Sequence, residues 1–107
     1  MNTVVAFLSS ILLTTSVVVP NLIIKPHQTT IATIQLPDGR ATLSIKGSNN
    51  ERISCVIVNR ATGRIVYDAL RTQQCIGFSN LALPENVDVD ITNETDDAVV
   101  VSVEIKQ

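Results

Sequence analysis

The sequence predicts an all-β domain: a small antiparallel β-sandwich of about seven or eight strands, Ig-like or jelly-roll-like, with an apolar segment at its N-terminus. Three observations predict it. Short apolar runs alternate with turn residues from Pro20 onward, the spacing of a sandwich or barrel. β-branched residues crowd Ser16-Val17-Val18-Val19 and Leu22-Ile23-Ile24, and such residues suit a pleated, half-buried surface. No stretch repeats apolar residues at helical spacing over three turns. With 107 residues the chain is one domain at the small end of the common range. The division expected is 1–16 as signal peptide or apolar N-terminal segment and 17–107 as the sandwich.

Residues 1–24 contain no ionisable side chain. The apolar runs 4–8 and 11–13 followed by small residues read as a secretory signal cut after Ser16, although no Lys or Arg precedes them. The twenty-two uncharged residues from Thr3 to Ile24 are long enough for a membrane anchor, but the interleaved Ser and Thr and Pro20 weaken that reading. A pair of ordinary buried strands is the third alternative.

Further along, Thr30 to Leu36 is strand-like. Pro37-Asp38-Gly39 reads as a tight hairpin turn, with Pro presetting one position and Gly accepting the left-handed one. Ala41, Leu43 and Ile45 alternate with Thr42, Ser44 and Lys46. Gly47 to Asn50 turns the chain. Ile53 to Val58 is apolar on both faces from Cys55 onward, which predicts a central strand. Arg60 to Gly63 is a turn and Arg64 to Asp68 a strand. Residues 69–74 read as a loop or one helical turn, Cys75 to Phe78 as a short strand, and Leu83 to Asn86 as a turn. The C-terminal part alternates most regularly: Val87, Val89 and Ile91, then Val99, Val101, Val103 and Ile105. It is expected to form a hairpin that sets Asp88 opposite Ser102 and Asp90 opposite Val100, because the other register faces Asp88 with Glu104 and like charges repel.

Composition removes several functions. The net charge is −2, unlike the basic patches of nucleic-acid binders. Aromatic residues are 3% of the chain, too few for stacking platforms. Two cysteines and one histidine cannot make a four-ligand Cys/His zinc site. His27 follows Pro26 in a connecting segment, and no nucleophile elbow accompanies it. Asp88 and Asp90 share a strand face but look solvent-exposed, with nothing to split their acidities. No catalytic residue, cofactor or metal ion is expected. Residues 94–97 offer carboxylates to calcium, without the spacing of a calcium loop.

Cys55 and Cys75 are expected to form a disulfide in an oxidising compartment, with buried free thiols as the alternative. Asn93-Glu94-Thr95 matches the N-glycosylation pattern, making Asn93 the acceptor in a secretory eukaryotic setting. Charge is divided along the chain: seven Lys/Arg face three Asp/Glu in residues 1–84, and one faces seven in residues 85–107. That division suits an acidic edge docking on a basic partner, or solvated turns and outward strand positions. Val56 and Val58, with Val66 and Val100 beside them, are expected to form an apolar patch that needs a cover; the segment Phe7 to Val19 is the expected one.

These readings lead to a non-catalytic extracytoplasmic binding or accessory module: secreted, periplasmic or on a virion surface. The alternative is a structural subunit of a filament or virion surface layer whose N-terminal segment makes subunit contacts. Its partner is another protein or a second copy. No nucleic acid is expected, and a membrane only if the N-terminal segment is an uncleaved anchor.

Overall fold

The strands pair as a nest, first with last and inward to the middle. The computed structural model describes residues 15–107. They form eight strands: β1 (Thr15–Ile24), β2 (Thr29–Leu36), β3 (Gly39–Gly47), β4 (Ile53–Asn59), β5 (Arg64–Thr72), β6 (Gln74–Leu81), β7 (Glu85–Asn93) and β8 (Val99–Lys106). β4 pairs with β5, β3 with β6, β2 with β7 and β1 with β8, all antiparallel. Two further pairings, β8 with β3 and β7 with β4, assemble the nest into two sheets. One has the order β1-β8-β3-β6, the other β2-β7-β4-β5; they are called the β1 sheet and the β2 sheet below. A long hairpin rolled up in this way is the eight-stranded jelly roll, rather than an Ig-like order.

This topology corrects two expected hairpins. Pro37-Asp38-Gly39 does adopt the turn, with Gly39 at φ 76°, a conformation glycine accepts without steric cost. But it carries the chain from one sheet to the other. β7 and β8 likewise belong to different sheets, so Asp88 does not face Ser102. Asp88 lies between Thr33 of β2 and Val58 of β4, and Ser102 lies beside Lys46 of β3. β7 and β8 are each inner strands of a sheet, which accounts for their alternation: one face of each fills the core and the other faces outward. Residues 69–74 are neither loop nor helical turn. β5 runs to Thr72 and β6 starts at Gln74.

The core is the space between the sheets. Val87, Val89 and Ile91 of β7 and Val99, Val101 and Val103 of β8 are buried in it, with Ile45, Ile53 and Ile57. Cys55 of β4 and Cys75 of β6 are joined by a disulfide, both fully buried, with Cα atoms 6.3 Å apart. The bond therefore ties one sheet to the other through the core. β4 is an inner strand, as its two apolar faces predict.

Residues 1–14 of the expected signal segment lie outside the described residues, as does most of the segment expected to cover Val56 and Val58. Thr15 and Ser16 open β1 opposite Lys106 and Ile105. β1 breaks register between Val17 and Val19 and again before Leu22, where Pro20 and Asn21 (φ 56°) stand. The apolar patch is also corrected. Val56 and Val58 are half-buried on the outer face of the β2 sheet, whereas Val66 packs on the core and Val100 and β1 belong to the other sheet.

Candidate interaction surface

The two outer faces of the sandwich treat charge differently. On the β2 sheet the hairpin turn after β4 sets up a network. Asn59 Oδ1 accepts from the backbone N–H of Ala61 and Thr62 at 3.0 and 3.2 Å, a side-chain turn typical of Asn. Gly63, at φ 74°, closes it by donating to the Asn59 carbonyl at 2.7 Å. Arg60 and Arg64 are thereby presented to β7. Arg60 Nε donates to Asp88 at 2.6 Å and its terminal nitrogen to Asp90 at 2.5 Å. Arg64 pairs with Glu85, to which Asn59 Nδ2 also donates at 2.7 Å.

The acidities follow. The Thr33 hydroxyl, donating at 2.7 Å, and then Arg60 hold the Asp88 carboxyl below its ordinary range. Arg64 first and Asn59 second do the same to Glu85. Asp90 and then Asp88 push the pKa of the Arg60 guanidinium up, holding its proton more tightly. Asp88 and Asp90 do share a face, as their spacing predicts, but one guanidinium clamps both. Part of the charge division along the chain is met here, because Glu85, Asp88 and Asp90 of β7 lie beside Arg60 and Arg64 of the β4–β5 hairpin.

The acidic run after β7 is also used internally. Asn93 is fully buried. Its Nδ2 donates to the carbonyls of Ile24 at 3.0 Å and Asp97 at 2.7 Å, and its Oδ1 accepts from the N–H and hydroxyl of Thr95 at 2.9 and 2.7 Å. Both amide hydrogens are engaged, and the Asn93 side chain, the acceptor position of the glycosylation pattern, ties β1 to the β7–β8 connection. Ser54 donates to Glu94 at 2.6 Å. His27, at φ 55° in the turn between β1 and β2, lies 2.7 Å from Asp96. Among the described residues no three His, Cys, Asp or Glu side chains gather as a metal site.

The outer face of the β1 sheet is different. Rows run across it in register: Phe78–Thr42–Lys106, Ile76–Ser44–Glu104 and Gln74–Lys46–Ser102, with Arg40 beside Asn80. Arg40, Lys46 and Lys106 are exposed. None of them makes an ion pair among the described residues. Phe78 is 75% exposed on the edge strand β6, and with Arg40 and Lys106 it lines an open depression that also includes Thr42 and Asn80. A smaller polar cleft, ≈ 160 Å³, lies at the other end beside Lys46, Asn50 and Ser102. It falls short of the ~300 Å³ at which small-molecule pockets usually begin.

This face was missed by sequence reasoning. Alternation showed Thr42, Ser44 and Lys46 pointing away from the core, but only the pairing of β3 with β6 and β8 brings Phe78 and Lys106 to either side of Thr42. Comparison with known protein families and with curated proteins finds no match for the chain.

Proposed function

We propose that this chain is a non-catalytic extracytoplasmic binding module that engages an acidic protein surface through the outer face of the β1 sheet. One observation carries the reading: a chain of net charge −2 sets three exposed cations, unpaired among the described residues, and an exposed Phe on one sheet face, while it pairs Arg60 and Arg64 on the other. Exposed cations of one sign around an aromatic side chain suit recognition of a complementary acidic patch. The buried disulfide is compatible with an oxidising compartment, and supports a secreted, periplasmic or virion-surface location.

The test uses poly-L-glutamate as an acidic probe in isothermal titration. The wild-type chain binds it, more weakly as salt rises. The R40E/K106E variant loses about tenfold in affinity, and R64Q, altered on the opposite face, does not. Equal binding by all three chains, or none by the wild type, contradicts the proposal.

A second reading, a structural subunit of a filament or virion surface layer, is favoured by a specific observation: strands β2 and β6, each at the edge of its sheet, carry no charge, no proline and no register shift.

A further inference from the structure

A jelly roll has four sheet edges, and edge strands carry unpaired backbone N–H and C=O groups that recruit other chains unless guarded. Two edges here are guarded. β1 contains Pro20 and two register shifts. β5 contains Arg64, Asp68 and Arg71 and breaks register twice against β4. The other two are not. β2 pairs with β7, and β6 with β3, through eight consecutive residues without interruption. Neither strand has a charged residue or a proline. Each instead exposes a large apolar side chain, Ile31 at 55% and Phe78 at 75%. Among the described residues no strand pairs with the outer edge of either.

Their positions matter as much as their chemistry. β1 packs near β2, and β5 near β6. Each side of the sandwich thus has one guarded and one open edge, and the open edges lie on opposite sides and in different sheets.

We propose that β2 of one copy of this chain adds antiparallel to β6 of the next. This rests on the assembly reading above and names its interface. The register that faces Ile31 with Phe78 also faces Thr33 with Ile76, Thr29 with Asn80 and Gln35 with Gln74 on the outer side. On the inner side it faces Ala32 with Gly77 and Thr30 with Ser79. An aromatic side chain thus meets a β-branched one, small residues meet at the inner side, and no like charges oppose, all features that favour a strand pair. Because the two surfaces differ and lie on opposite sides, the contact is head-to-tail. Repetition gives a ring or an open filament, and one kind of interface satisfies both open edges.

The experiment is sedimentation velocity on the full-length wild type and on I31K and F78K, each altered at an exposed side chain and checked for an unchanged far-UV circular dichroism spectrum. The wild type is expected to form a concentration-dependent series of oligomers. Each variant alone is monomeric, since one of its two edges is blocked. An equimolar mixture of I31K and F78K forms dimers and nothing larger, because one copy supplies an intact β6 and the other an intact β2. A wild type that stays monomeric at every concentration overturns both the assembly reading and the interface. Oligomers that persist in either variant alone, or a mixture that stays monomeric while the wild type assembles, overturn the β2–β6 pairing and leave the assembly reading standing.

Discussion

Arg60 reaches back along β4 so that its guanidinium bridges Asp88 and Asp90, two carboxylates on one face of β7. Removing it leaves like charges two residues apart. R60Q is expected to lower the thermal midpoint at pH 7, and to lower it less at a pH low enough to protonate Asp88, whose charge Arg60 then no longer offsets. Thermal melts of both chains at the two pH values check this.

The depressed pKa values of Asp88 and Glu85 have a consequence for the wild type. A carboxyl group that titrates lower when folded than when unfolded binds fewer protons in the folded state, so its stabilisation is complete above the unfolded value and is lost as pH falls through the folded one. Stability is therefore expected to decline as pH drops below about 4. T33V, which removes the largest influence on Asp88, makes that decline shallower. Urea unfolding midpoints between pH 2 and pH 6 measure it.

The disulfide joins the sheets and closes a twenty-residue separation. The double variant C55A/C75A is expected to lose about 3 kcal/mol of stability on the loop-entropy account. Urea unfolding at pH 7 gives the value. The variant keeps its all-β circular dichroism spectrum under native conditions, because the alternating core of β7 and β8 does not depend on the bond.

Asn93 satisfies two backbone carbonyls and one backbone N–H, with no exposure of its own. N93A strands the buried Ile24 carbonyl and removes the partner of the part-buried groups at Thr95 and Asp97, and a buried unsatisfied group costs about 1–3 kcal/mol. A loss of about 3 kcal/mol is expected, with faster amide exchange at Thr95 and in the β7–β8 connection. Hydrogen-exchange mass spectrometry resolves that segment.

Strand content was legible in the sequence where one face of a strand is wet and the other dry. Val87 to Ile91, Val99 to Ile105 and Ala41 to Ile45 all alternate for that reason. Pairing was not legible. A connection such as Pro37-Asp38-Gly39 needs the same residues whether it returns within a sheet or crosses to the other, so an arch looks like a hairpin. Residues 69–74 carry no alternation, and the one-residue link at Gln73 removes the usual turn signal. The cysteines were legible as a pair because there are only two of them. The clamp on Asp88 and Asp90 was visible only as a charge imbalance between the two parts of the chain, since Arg60 lies 28 residues from Asp88. The basic face was least legible, because Arg40, Phe78 and Lys106 come from three strands that only the nested pairing sets side by side.

The most direct test of the proposed role is amide chemical-shift mapping of the ¹⁵N-labelled chain during titration with poly-L-glutamate. The account predicts that the perturbed amides cluster on β3 from Arg40 to Lys46, on β6 around Phe78 and on β8 towards Lys106, with little change around Arg60, Asp88 and Asp90. Perturbations centred on the Arg60–Asp88 network, or spread evenly over both sheets, would contradict it.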